Sequence, residues 1–108
     1  MSTRSEGELA QLFAALGDSG RLQLIGRLLA AGAMSATALA DGEAISRQAI
    51  VKQLQVLETA GLVTHSRQGR EVLYALDARS LREARAYLDA VSAHWDASLE
   101  RLRGLLES

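Results

Sequence analysis

Apolar positions recur along this chain with two different periods. Leu9, Leu12, Phe13 and Leu16 repeat at helical spacing, after a Ser5–Glu8 pair with the separation of a capping box and before Gly17. Asp18 has the chemistry of an N-cap for a second helix, whose Leu22, Ile25, Leu28 and Leu29 are expected to face a core before Gly32 stops it. Ser35 opens a brief helix through Ala36, Leu39 and Ala40, which Asp41-Gly42 breaks. Ser46 then caps a longer helix with Ile50, Leu54 and Leu57 on its inward stripe, closed by Gly61. From Leu62 to Leu76 the pattern shortens into two β-prone runs around Arg67-Gln68-Gly69-Arg70, where Gly69 supplies the positive φ of a tight hairpin. Ser80 and Glu83 repeat the capping-box spacing at the start of the longest helical pattern, while Met1 to Arg4 are expected to be a loose end.

That last helix has a further regularity. Leu81, Leu88, Trp95 and Leu102 recur every seven residues, as do Ala84, Val91, Ser98 and Leu105, a heptad seam running nearly to the C-terminus. At 1.5 Å per residue the helix spans roughly 40 Å, more than so small a domain needs to cover its own core. An apolar face that its own chain cannot cover is expected to meet a second copy. The predicted homodimer interface comprises Leu9, Leu12, Phe13 and Leu16 of the first helix with Leu88, Val91, Trp95, Leu99, Leu102 and Leu105 of the last.

The helix from Ser46 has the opposite character on its outward side. Gln48, Val51, Lys52 and Gln55 fall away from the inward stripe, so long hydrogen-bonding side chains are presented to solvent. A brief bracing helix, a helix with an amide-rich face and a hairpin with arginines at its tip form the layout of a winged helix-turn-helix. Double-stranded DNA is the expected partner, because amides suit adenine edges, Lys and Arg suit guanine or phosphate, and an apolar Val51 suits a thymine methyl. The fold expected is mainly α with a small β-hairpin, in one domain over residues 1–108. Residues 35–61 form the helix-turn-helix, 62–76 the wing, and 5–16 and 80–106 the dimerisation helices. The predicted DNA-contacting set is Ser46, Arg47, Gln48, Val51, Lys52, Gln53 and Gln55 on the helix, with His65, Arg67, Gln68 and Arg70 on the wing.

Composition narrows this picture without changing it. The chain has 108 residues, 48% hydrophobic and 23% charged, which fits one ordinary globular core. No cysteine is present, so disulfides and thiolate metal sites are excluded. No stretch resembles a membrane span and no basic-then-apolar leader pattern opens the chain, so a cytoplasmic protein is expected. The formal charge of −1 is low for a DNA-binding domain. From Ser46 to Tyr74, however, Arg47, Lys52, Arg67 and Arg70 face only Glu58 and Glu71, which leaves +2 in that segment and −3 elsewhere. Binding through few ion contacts, reinforced by a dimer, is the expectation.

Three stretches, LFAALGDSGRLQLIGRLL, SRQAIVKQLQVLETAGLV and SRQGREVLYALD, together resemble the ArsR family of bacterial winged-helix transcriptional repressors over nearly the whole chain. The resemblance is greatest to a cysteine-free branch, whose members are often encoded beside START-like domain proteins. It implies a homodimeric repressor on a palindromic operator. The departures are specific: Asp18-Ser19-Gly20-Arg21 lacks the proline and threonine of the family's D-P-T-R turn, Gln53 stands for a usual histidine, and Val51 for a serine or threonine. The bracing helix, MSATALAD, lacks the paired cysteines of metal-sensing relatives.

Competing readings are blander. The amide face is also what a solvated helix looks like, Arg47 has Glu43 as an alternative salt-bridge partner, and Trp95 and Tyr87 are more often packing residues than ligand clamps. Two other functions stay open: a winged helix kept as a protein-interaction module, and a metal-responsive sensor using His94 with carboxylates, although one histidine is a poor start for a tetrahedral site. Neither metal nor cofactor is expected. Isolated histidines and the absence of a glycine-rich phosphate loop leave no basis for an enzyme.

Overall fold

The computed structural model of the chain describes residues 4–107. In order, the elements are α1 (Glu6–Leu16), α2 (Ser19–Ala31), β1 (Met34–Ser35), α3 (Ala36–Ala40), α4 (Arg47–Thr59), β2 (Val63–Gln68), β3 (Glu71–Leu76) and α5 (Ala78–Glu107). Four of the helix starts carry the caps their residues imply: Ser5, Asp18, Ser35 and Ser46 each accept a backbone N–H from three residues on. Ser5 and Glu8 close a reciprocal capping box, with Glu8 N donating to Ser5 Oγ at 3.2 Å and Ser5 N to Glu8 Oε1 at 3.1 Å. The Ser5 backbone N–H first, then the Ser5 hydroxyl, with the Arg4 charge adding to them, hold the Glu8 carboxyl below its ordinary value.

The core sits where α1, α2, α3, α4 and the start of α5 meet, around Leu12, Leu39, Ile50, Leu54, Leu57 and Leu62, each essentially inaccessible to water. Burying each such side chain stabilises the fold by about 1.5–3 kcal/mol. The sheet is antiparallel with order β1-β3-β2. The β2–β3 hairpin runs in register from Val63 opposite Leu76 to Gln68 opposite Glu71, and Gly69, at φ +64°, opens its two-residue turn. A three-stranded wing behind a helix-turn-helix is the winged helix-turn-helix fold.

Several local expectations are corrected. The wing has a third strand, because Met34 and Ser35 pair with Tyr74 and Leu73 before the chain turns into α3. On α2 the inward residues are Leu24, Ile25 and Leu28, while Leu22 and Leu29 are exposed. Leu12, expected between subunits, is fully buried within this chain's own core and is thereby removed from any surface interface. Ser80 does not cap α5. Its helix begins two residues earlier, where Asp77 Oδ1 accepts from Arg79 N at 3.0 Å and Ser80 N at 3.4 Å. Ser80 is instead the one buried polar residue of the core region among the described residues, its hydroxyl donating to Gly61 O.

Arg4 is not loose; the other residues of that expected loose end, 1–3, lie outside the described residues. The Arg4 guanidinium faces Glu83 Oε2 at 2.8 Å, donates to Ala60 O at 3.3 Å and also bonds the Ser80 hydroxyl. Gly61 permits this, for a Cβ there would come within 2.6 Å of Arg4 Nη2, and its φ of +82° is one that glycine adopts most easily.

Candidate nucleic-acid interface

Helix α4 is held from behind before it presents anything in front. Its Ser46 cap fixes the first turn through Ala49 N at 3.2 Å, and Ile50, Leu54 and Leu57 bury the inner stripe. Bracing helix α3 is fixed in turn by Arg27 of α2, which donates to the α3 carbonyls Leu39 O and, at 3.3 Å, Ala38 O, and pairs with Glu43 at 3.4 Å. Both carbonyls belong to the last turn of a helix; Ala38 O also accepts from the backbone N–H of the cap residue Asp41 at 3.3 Å, and the guanidinium adds a donor to each.

In front, Ser46, Arg47, Gln48, Lys52 and Gln55 are exposed and Val51 is half-buried, together lining a shallow concavity of about 530 Å³ on the outer face of α4. A second hollow of about 310 Å³ lies between the helix-turn-helix and the wing. It brings Arg47 and Val51 of α4 together with Thr37 of α3 and Arg70 and Tyr74 of the wing, with Glu71 also on its wall. Residues more than twenty apart in sequence thus share one groove. Arg47 does not pair with Glu43 as its blander reading had it: its Nε donates to Thr37 Oγ1 at 3.1 Å, which aims the guanidinium across the mouth of that groove. Thr37 is a site residue that local spacing could not mark.

The wing residues divide. Arg67, Gln68 and Arg70 are exposed around the hairpin tip, Arg67 Nε making a long bond of 3.4 Å to Gly69 O. His65 is exposed but already engaged: its Nδ1 pairs with Glu58 of α4 and its ring lies 5.8 Å from that of Tyr74. The pair fastens the wing to α4, and it also occupies one of the two carboxylates in the segment. Gln53, also expected to contact DNA, is engaged as well. It is half-buried, and its Oε1 accepts from Arg21 Nη1 at 3.0 Å.

On the far side, α5 leaves Leu88, Trp95, Leu99 and Leu102 more than half exposed, with Leu105 also at the surface. Of the other residues expected at an interface, Leu9 and Val91 are half-buried, whereas Phe13 and Leu16 pack against the chain's own core, Phe13 with its ring 5.7 Å from Tyr87. His94 is exposed on α5, and among the described residues no three His, Cys, Asp or Glu side chains gather as a metal site would require. No helix among them is long and apolar enough to cross a membrane.

Comparison with known proteins agrees with this architecture. Residues 16–66 match a helix-turn-helix domain family. An ArsR-like transcriptional regulator from Rhodococcus sp. RHA1 is 36% identical and superposes with a TM-score of 0.82 over 92% of both chains. The homodimeric winged helix-turn-helix DNA-binding domain of a Mycobacterium bovis protein is 25% identical, with a TM-score of 0.64 over 86% of this chain and 91% of that one. A transcriptional repressor SmtB homolog from Synechocystis sp. is 36% identical over 76 residues, 70% of this chain, which spans only 57% of that relative's length.

Proposed function

The chain belongs to the ArsR family of winged helix-turn-helix transcriptional regulators, and on that premise we propose that it is a homodimeric DNA-binding repressor of a palindromic operator. Each subunit lays α4 in a major groove, with Gln48 and Gln55 toward base edges, Val51 toward a thymine methyl and Lys52 toward the phosphates at the groove's edge. Arg47 and Arg70, one from each wall of the groove between helix and wing, meet the phosphate backbone, while Arg67 and Gln68 extend the contact along the flanking duplex. Exposed Leu88, Trp95, Leu99 and Leu102 of α5 form the seam between subunits, helped by Leu9 and Val91. Repression follows from occupancy, since a dimer spanning two adjacent major grooves excludes other proteins from the same promoter segment.

The observation that carries this reading is the groove shared by Arg47 and Arg70 beside an outward face of amides and one lysine. A purely solvated surface has no reason to draw two arginines from distant segments to one groove. Footprinting on DNA surrounding the chain's own gene tests it, with a protected segment of two half-sites one helical turn apart as the expected result. Absence of any protected segment, together with no measurable affinity for any duplex, would leave a protein-interaction module as the better account.

A further inference from the structure

Helix α1 is bracketed by two arginines, and both reach α4. Arg4, just before α1, donates to Ala60 O at the C-terminal end of α4 while pairing with Glu83 of α5. Arg21, just after α1, donates to the last-turn carbonyls of α1, Ala15 O at 2.6 Å and Ala14 O at 3.4 Å, and to Gln53 Oε1 in the middle of α4 at 3.0 Å. Its own backbone is pinned by Asp18, whose Oδ2 accepts from Arg21 N at 3.0 Å. A guanidinium donates in a rigid planar fork, so each arginine fixes direction as well as distance. Two such forks at separate points along α4 constrain its tilt, which one contact alone would not.

We propose that Arg21 and Gln53, with Arg4 at the far end of the helix, are positioning residues: they transmit the placement of α1 and α5 to α4 and so set the separation of the two reading helices in the dimer. This rests on the DNA-binding dimer proposed above and assigns Gln53 a different role from Gln48. Gln53 turns its carbonyl inward to Arg21 and sets the pose of α4, whereas Gln48 reads. Loss of the link lets each α4 rock, which costs little at one half-site and more when two must be met at once, because the second contact draws on the effective concentration that a fixed geometry supplies.

The test uses the absence of cysteine from the chain. A nitroxide on Gln48→Cys in the full-length dimer, without DNA, reports the distance between the two reading helices by electron spin dipolar spectroscopy. The expected result is a narrow distribution in the labelled parent, a broadened one after Gln53→Met or Arg4→Met, and a narrow one again after Gln53→Glu, which restores an acceptor oxygen for Arg21. On unlabelled chains, Gln53→Met is expected to lower affinity for a two-half-site duplex roughly tenfold relative to a single half-site, with base preference unchanged. Lowered melting temperatures with unchanged distance widths and an unchanged ratio overturn the positioning role and leave a structural one. A parent that binds no DNA overturns the functional reading, while the distance widths still decide the link. A parent that gives no dipolar signal because it is monomeric overturns both.

Discussion

Helices α4 and α5 each leave a face to solvent, and the two faces have opposite chemistry. Helix α4 exposes Gln48, Lys52 and Gln55, while α5 exposes Leu88, Trp95, Leu99 and Leu102. An apolar face loses free energy to water in proportion to its area and gains from any apolar cover, at about 25 cal/mol per Å². A face of amides gains almost nothing from burial as such, because its hydrogen bonds to water are already good; only a partner with matching donors and acceptors improves on them. The contrast therefore separates two kinds of partner, another protein surface for α5 and a patterned polar edge for α4. The supports differ accordingly: α4 is capped, buried behind along its length and tied by arginines, whereas the residues α5 buries, Ser80 and Ala84, both lie near its start.

The largest effect is expected on the apolar side. Trp95→Glu places a charge in the middle of the proposed seam, and light scattering at micromolar concentration should show a monomer whose helix content is unchanged, since Trp95 is 61% exposed within its own chain. Operator affinity should then fall by about two orders of magnitude, the usual size of lost avidity. A dimer that survives this substitution, with binding intact, would break the division of labour between the two faces.

Changes on the polar side should be smaller and should differ in kind. Gln48→Ala is expected to cost about 1–3 kcal/mol against the best sequence and little against others, flattening base preference at one position per half-site. Lys52→Ala and Arg67→Ala should weaken binding to all duplexes and reduce the salt slope by about 2 per dimer, two phosphate contacts at roughly 0.9 each. Titration of wild type and variants against operator and scrambled DNA at several salt concentrations separates the two. A sequence-selective loss in Lys52→Ala would exchange the assigned roles.

Both faces were legible from spacing alone, because a long helix repeats its signal: the inward stripe Ile50, Leu54, Leu57 defines the outward one, and the heptads of α5 mark its exposed apolar face. What stayed hidden was either too short to repeat or joined across distance. Strand β1 has two residues and no period. Gln53 stands three residues after Ile50 and four before Leu57, beside the inward stripe, but its partner Arg21 lies 32 positions away and no spacing joins the two. Ser80 and Glu83 imitate a capping box, yet Asp77 wins the cap and Ser80 is drawn into the core by Arg4 and the Gly61 carbonyl. Leu12 belongs to a stripe that was correctly read as apolar, but a stripe does not say whether its cover comes from the same chain.

The supports can be weakened separately from the faces. Ser46→Ala removes the side-chain acceptor at the start of α4 and should cost about 1 kcal/mol of stability, measured by chemical denaturation. If α4 is otherwise well held, affinity at saturating folded protein should change far less than stability does, because the cap is needed to form the first turn rather than to touch DNA. A loss of affinity larger than the loss of stability would mean that Ser46, exposed on the rim of the concavity, contacts the duplex directly.

The smallest effect concerns α1, the strut common to both sides. The Glu8 carboxyl is held below its ordinary value of 4.5 first by the Ser5 backbone N–H, then by the Ser5 hydroxyl, with the Arg4 charge adding to them. A carboxyl whose folded-state value is depressed stabilises the fold above its unfolded value, and that contribution fades as pH falls through the lower, folded one. Glu8→Gln keeps an acceptor for Ser5 but cannot titrate, so its melting temperature should lie slightly below that of the parent at pH 7 and converge on it as the pH is brought well under 4.5. The group is fully exposed, so screening keeps the difference small and added salt should shrink the part owed to Arg4. A gap that widens toward low pH would mean that the capping box does not stabilise the start of α1, and that Arg4 alone fastens this end of the strut to α4 and α5.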